Sequence, residues 1–376
     1  MKNAACLIAL ALTPCLAQVK DPARLLSDDA LLKTPSELVV APSKTSTVYR
    51  ASKGEWQFNL HSYLAYFDGK FWAMWSSGRV DEDSPTQLIR YSTSKDGHTW
   101  SESQILAPDP DGPEGPGRWI ARGIYVDRGK LFALTAYVAG RVQKPNRIEF
   151  WHGLRLMRYV WSGSEWKDAG LYLDDCMNNY PPQMVGGKLF MSCRDSYRLT
   201  YAALAAPSPS PKWQRTSLPG TSDAKFNEPS SYQATDGSIH MIIRDGARSK
   251  HLLRSVSRDN GATFSEPVQT NYPDATSKNF TGRLSNGWYY LINNPNQTSR
   301  DPLAISFSRD GWSFGHPLAI RKGAPPRRFA GQFKGSGSIQ YPHAIEHNRS
   351  LWVIYSTNKE DIEISEFKIA DFKLAK

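Results

Sequence analysis

His61, Glu228, Tyr341 and His343 are the side chains of this chain best placed to move protons or attack an electrophilic carbon. Arg79, Arg122, Arg194, Arg244, Lys278 and Asn179 are those best suited to hold an anion. Histidine titrates near neutrality and can act as acid or base. A tyrosine among cations can serve as nucleophile, acid or base once its pKa is lowered. Arginine offers a two-pronged fork to a carboxylate and stays charged at any working pH. Each also has a plainer reading. Arg79 and Arg194 could solvate a rim or pair with Asp81 and Asp195. His61 could be a satisfied core histidine, and Glu228 could simply hold a neighbouring arginine. Arg122 and Arg244 lie in apolar strand contexts, where an unpaired guanidinium is costly. Taken together the set suits a carboxylate-bearing sugar. No chemistry is expected of His98, His152, His240, His251, His316 and His347, which fall on outer strands and turns.

These residues are scattered, so a repeated scaffold must bring them together. Short apolar and aromatic runs follow turns at Asp68-Gly69, Asp127-Arg128-Gly129, Gly186-Gly187, Asp236-Gly237, Asn286-Gly287 and His347-Asn348. Such runs bounded by turn residues are strands. Ser94-Lys95-Asp96-Gly97-His98-Thr99-Trp100, Ser257-Arg258-Asp259-Asn260-Gly261-Ala262-Thr263-Phe264 and Ser308-Arg309-Asp310-Gly311-Trp312-Ser313-Phe314 each follow a strand-like run. Asp or Asn accepts from backbone amides, Gly takes positive φ, and the aromatic plugs the turn onto apolar surface. The spacing predicts an all-β, six-bladed propeller over residues 55–372, with four antiparallel strands per blade. Trp166 and Trp213 stand in for the turn aromatic in two units. The last unit is one strand short, and Glu37-Leu38-Val39-Val40 or Val48-Tyr49-Arg50 would supply it and close the ring. Seven blades is the alternative; it would need a blade from residues 19–50, which is short for one.

Polar and ionisable residues recur where each inner strand begins, and a propeller gathers them into a ring. The segments are Asn59-Leu60-His61, Trp119-Ile120-Ala121-Arg122, Asn178-Asn179-Tyr180, Asn227-Glu228-Pro229-Ser230, Thr276-Ser277-Lys278-Asn279 and Gln340-Tyr341-Pro342-His343. A second ring, from the following strands, holds Arg79, Arg194, Arg244, Asn293-Asn294 and Asn358-Lys359.

Lys2, the apolar run from Ala4 to Leu12, and Leu16-Ala17 read as a signal peptide over residues 1–17, followed by one domain over 18–376. The chain is therefore expected to be secreted, extracellular or periplasmic, with no later span able to cross a membrane as a helix. Of four cysteines, two lie in that leader. Cys176 and Cys193 remain, as a disulfide or as two buried thiols. The net charge of +10 is spread singly through strands, without a basic tail or helix. That pattern fits an acidic oligo- or polysaccharide and no nucleic acid.

The three Asp-containing turns resemble the Asp box of the sialidase superfamily, whose boxes sit on the outer edge of propeller blades. The run from Asn227-Glu228-Pro229 to Arg244 resembles the sialidase glutamate and the arginine that follows it, and Gln340-Tyr341-Pro342 falls where sialidases carry a nucleophilic tyrosine. The resemblance implies that Glu228 polarises Tyr341 and Arg244 grips a substrate carboxylate. The Phe/Tyr-Arg-Ile-Pro motif that delivers the first sialidase arginine is absent; Tyr49-Arg50-Ala51-Ser52 is its nearest counterpart, and Lys278 or Arg283 would replace the third arginine. His61 through Trp75 and Gln340-Tyr341-Pro342-His343 are similar to secreted rhamnosyl-glucuronate-cleaving and ulvan-lyase-type propellers.

The favoured expectation is an enzyme acting on an acidic glycan as a uronate-directed lyase or rhamnosyl-glucuronate-cleaving enzyme. Arg122 and Arg244 would stabilise the enolate, His61 or Tyr341 would remove the C5 proton, and His343 or that same group would protonate the leaving oxygen. An exo-α-sialidase and a non-catalytic glycan-binding propeller are the alternatives. No cofactor is required. Ca2+ would suit carbonyl, Asp and Asn oxygens in a propeller tunnel, although no loop has calcium spacing, so the metal is unknown. A monomer is expected.

Overall fold

The computed structural model describes residues 20–82, 84–111, 115–222, 225–331 and 337–374; the run expected to be a signal peptide, with its two cysteines, lies outside them. Six antiparallel sheets of this region form the blades of a propeller. The first contains Phe58–Phe67, Lys70–Gly78, Leu88–Ser94 and Gln104–Ala107. The second contains Arg118–Asp127, Lys130–Val138, Arg155–Trp161 and Trp166–Asp174. In the third, the inner strand is broken into Met177–Asn178 and Gln183–Val185, followed by Lys188–Arg194, Thr200–Ala205 and Gln214–Ser217. The fourth has Phe226–Gln233, Ile239–Asp245, His251–Ser257 and Val268–Pro273; the fifth has Phe280–Arg283, Tyr289–Asn293, Leu303–Ser308 and Gly315–Arg321. The sixth uses Ile339–His347, Ser350–Thr357 and Asp361–Lys368, and takes its outer strand, Lys44–Tyr49, from the N-terminal side.

That borrowed strand pairs Lys44 with Glu366 and Thr47 with Glu363, so the ring is closed by hydrogen bonds between sequence extremes. Of the two runs expected to close it, the second does so. Val39 and Val40 instead run beside the outer strand of blade five, through a parallel bridge from Val40 to Ala319. Each of the six expected turns joins the first and second strands of a blade.

The apolar cores lie between blades. Tyr63, Trp72 and Met74 of blade one meet Ala121, Ile124 and Leu131 of blade two. Leu64, Phe71 and Trp75 meet Trp352, Ile354 and Ile362 across the closure. The Asp boxes fasten these interfaces from outside. Asp96 Oδ1 accepts from the amides of His98 and Thr99 at 2.8 and 2.7 Å, and Ser94 Oγ from the Gly97 amide at 2.8 Å. Gly97 has φ +75°, and a Cβ there would stand 2.3 Å from the Trp352 ring of blade six. Box five likewise leans on Tyr232 and Ala234 of blade four. Trp166 does the same job without a box, packing edge-on against Trp72 and Tyr91 of blade one. Trp213 packs edge-on against Tyr172 of blade two. Cys176 and Cys193 are disulfide-bonded, with Cα atoms 5.4 Å apart, which resolves that alternative.

Candidate functional site

Inner strands of regular pleat would alternate side chains between blade interfaces. Here the register slips within four of them: between Leu60 and Tyr63, Ala121 and Gly123, Asn227 and Ser230, and Gln340 and His343. A bulge inserts an extra residue and re-aims its side chain. The residues at these slips are His61, Arg122, Glu228 and Tyr341. His61, Glu228 and Tyr341 have φ of 55°, 41° and 60°, a region a non-glycine residue occupies at a cost and only when its surroundings hold it there. All four line one cavity of about 1170 Å3, together with Arg194 and Arg244.

At the floor, Arg244 donates to Glu228 Oε2 at 2.6 Å and to the Tyr341 hydroxyl at 3.3 Å. Arg194 reaches across to Asn227 Oδ1 of blade four. Arg300, from the loop before the third strand of blade five, is held by Gln340 Oε1 and donates to the Thr276 carbonyl at 3.0 Å. Burial pushes the Glu228 carboxyl up, but Arg244, Arg194 and Lys278 outweigh it and hold it far below the usual range. Burial and the Glu228 charge raise the Tyr341 phenol, against the pull of Arg244 and Arg300.

His61 lies on the opposite side of Tyr341, their rings edge-to-face at 5.3 Å. Its Nδ1 is 3.2 Å from Ser76 Oγ, and Ser76 Oγ accepts the Ala121 amide at 2.8 Å. The serine hydrogen is thereby available to Nδ1, which leaves a hydrogen on Nε2, 3.7 Å from Glu82 Oε1. Burial, then Arg122 and Lys278, lowers the His61 pKa well below its ordinary value, so the ring is neutral at working pH. Lys359 pairs with the same Glu82 carboxylate.

Other expected residues sit elsewhere. Lys278 lies beneath the floor in an aromatic cage, donating to the Tyr63 hydroxyl and the Asn179 carbonyl at 3.0 Å each and stacking over Tyr180 at 4.3 Å. Asn179 is buried there, its amide donating to the Pro229 carbonyl at 3.0 Å. His343 points into the same apolar layer, accepts the Leu64 amide at 3.1 Å and packs on Phe280; burial and Lys278 bring its pKa down to about 3. Arg79 turns outward to stack on Trp56 at 4.5 Å. Arg283 is exposed at the end of the inner strand of blade five, opposite Tyr289. The third floor cation is therefore Arg300, and the second cavity carboxylate is Glu82. Both come from loops, where no strand period marks them. Among the described residues, no group of three or more His, Cys, Asp or Glu side chains could hold a metal ion.

The family model of the BNR repeat-like domain matches residues 69–353. No curated protein matches the chain. Solved structures share its fold. A sialidase is 23% identical with a TM-score of 0.63, over 88% of this chain and 33% of that one, so the chain spans about a third of that protein's length. A Dyadobacter fermentans protein of unknown function is 15% identical, TM-score 0.66, over 86% of this chain and 97% of its own. The Trypanosoma rangeli sialidase in complex with sialic acid is 15% identical, TM-score 0.62, over 89% and 60% respectively. With six blades, three Asp boxes and a family match over most of its length, the chain belongs to the BNR repeat-like domain family and is a propeller of the sialidase superfamily.

Proposed function

We propose that this protein is an exported enzyme that releases a terminal acidic sugar from a glycan, with Tyr341 as nucleophile. The observation that carries the reading is the Arg244 guanidinium, which touches Glu228 and Tyr341 at once between Arg194 and Arg300. The three arginines take the substrate carboxylate. Its negative charge offsets the cations that hold Glu228 ionised, so Glu228 becomes basic enough to accept the phenolic proton. Tyr341 Oη then bonds to the anomeric carbon while the bond to the leaving oxygen breaks. Entry of the negative substrate lets the His61–Glu82 pair take up one proton from solvent, and the pair hands that proton to the leaving oxygen. Water, losing its proton to the same pair, cleaves the tyrosyl–sugar bond, and the phenol recovers its proton from Glu228. Export agrees with a disulfide, which persists in oxidising compartments.

A second reading, uronate elimination, rests on a different observation: His61 is neutral and faces the cavity, where it could take the C5 proton of a uronate held by Arg122 and Arg244. One assay set separates the two. Sialosides and rhamnosyl-glucuronan oligomers are incubated with the protein and products followed by mass and ultraviolet absorbance. Hydrolysis adds the mass of water and creates no chromophore, whereas elimination leaves an absorbing unsaturated uronate. Binding without turnover of any acidic glycan would leave a lectin-like propeller and end both readings.

A further inference from the structure

The turn over residues 358–360 joins the second and third strands of blade six, beside blade one. Asn358 and Lys359 take φ of 60° and 56° there. Positive φ suits asparagine and glycine; a lysine adopts it at a cost and only when its surroundings impose it. Asn358 supplies part of that constraint. Its Oδ1 accepts the Ser338 amide at 2.8 Å, its own amide donates to the Ser338 carbonyl at 2.7 Å, and its Nδ2 donates to the Pro325 carbonyl at 2.8 Å. Glycine at position 359 would remove the cost, and with it a side chain that lines the cavity.

The same turn grips blade one twice. Through its backbone it holds the inner strand: Asn59 donates its amide to the Lys359 carbonyl at 2.7 Å and its Nδ2 to the Glu360 carbonyl at 2.8 Å, while Ser356 Oγ donates to the Asn59 carbonyl at 2.7 Å. Asn59 Oδ1 in turn accepts from Trp75 Nε1 and Ser77 Oγ, at 3.0 and 2.8 Å. His61 lies two residues on, in the bulge that follows. Through its side chain the turn holds a carboxylate. Lys359 is buried and ion-paired with Glu82 Oε2, which leaves Oε1 for His61 Nε2, 3.7 Å away. Glu82 stands half-buried in a turn after the second strand of blade one, so its carboxylate takes its direction from side chains. Burial lowers the His61 pKa most, then Arg122 and Lys278, and the Lys359 charge adds to them. A lower pKa makes the protonated ring a stronger acid.

We propose that Lys359 is the positioning residue of the His61–Glu82 pair: it holds Glu82 Oε2 so that Oε1 faces Nε2, and thereby aligns the proton that the pair delivers to the leaving oxygen. One turn of blade six then sets both members, the imidazole through Asn59 and the carboxylate through the ammonium. Lys359 acts through Glu82, and its role rests on the pair being the proton donor of the proposed reaction.

Leaving-group dependence tests it. A nitrophenyl group departs as a stable phenolate with little help from an acid, whereas a methoxy group needs a proton. The nitrophenyl and methyl glycosides of sialic acid and of glucuronate are compared by kcat/KM, which reads the steps up to loss of the leaving group. The ratio, nitrophenyl over methyl, does not depend on the folded fraction of a variant. His61→Ala is expected to raise it at least about 100-fold, the worth of a general acid. Lys359→Gln is expected to raise it at least about tenfold, as for loss of a hydrogen bond between charged groups. Lys359→Arg, which keeps a cation on Oε2, should stay within about threefold of wild type. If His61→Ala raises the ratio and Lys359→Gln does not, the positioning role is overturned and the proton-donor reading stands; a rise as large with arginine as with glutamine has the same meaning. An unchanged ratio in His61→Ala ends the proton-donor reading itself, as does absence of turnover of every glycoside by the wild-type protein, and the role of Lys359 falls with it.

Discussion

Two kinds of carboxylate in this propeller are held ionised by opposite physics. Asp96 and Asp259 lie exposed on outer turns, and each is stabilised by hydrogen bonds from residues within four positions of it: Thr99, His98 and Ser94 for one, Thr263 and Ser257 for the other. Glu228 lies at the centre, where burial alone would protonate it, and is kept charged by guanidinium and ammonium groups from three blades. The outer device is local and can be repeated by copying a short sequence. The central one exists only when separate blades have packed side by side. Repetition therefore marks what builds the ring, and the non-repeated residues at the same radius mark what it does.

This contrast predicts a double dissociation. Tyr341→Phe keeps the ring and its packing and removes only a hydroxyl that accepts from Arg244 at 3.3 Å. Turnover should fall by at least about 10^3-fold, as for loss of a nucleophile, while unfolding free energy moves by no more than about 1 kcal/mol. Trp312→Ala does the reverse. Trp312 is buried against blade four, with its indole donating to Asp236 Oδ2 at 2.9 Å. Its loss should cost about 3–5 kcal/mol in denaturant titration, and kcat per folded molecule should stay at the wild-type value. If Tyr341→Phe unfolds the protein or Trp312→Ala silences it without unfolding, centre and edge are not separable in this way.

The disulfide tests the border between the two. Cys193 precedes Arg194, and the bond ties that strand to the broken inner strand of blade three. Replacing both cysteines with alanine should cost about 3 kcal/mol, the closure entropy of a loop of roughly this length. Because Arg194 is still fixed by Asn227, KM for an acidic glycan should rise more than kcat falls. A kcat loss at unchanged KM would place the effect at Tyr341 instead.

The edge was almost wholly legible in the sequence, because an Asp box is spelled within eight residues and its strand precedes it. Even the aromatic stand-ins, Trp166 and Trp213, were visible as bulky residues at box-like intervals. At the centre, residues on bulged inner strands stood out as polar groups in strand contexts: His61, Arg122, Glu228 and Tyr341 share the cavity. The same logic brought in His343, two residues beyond Tyr341. The bulge at Gln340–His343 turns that imidazole into the apolar layer, and sequence alone does not reveal a bulge. Arg300 and Glu82 were missed because loops carry no period.

The smallest expected effect sharpens the comparison most, since it reads the outer device alone. Asp259 has its pKa lowered from 3.8 to about 2 by hydrogen bonds from Thr263 and Ser257. A carboxyl depressed in the folded state binds its proton more readily when unfolded. Its stabilising contribution is complete above about pH 4 and disappears as pH falls to about 2. In Asp259→Asn the amide oxygen can still accept from the turn, but the charge is gone. The stability difference between wild type and variant, followed by thermal melts across pH, should be flat from neutral pH down to about 4 and vanish by about 2. Acid sensitivity at milder pH should persist in the variant, because His343, with its pKa brought from 6.5 to about 3, favours folding only while neutral and loses that contribution as pH drops below 6.5. A difference that stays constant down to pH 2 would show that the box works through shape and not through charge.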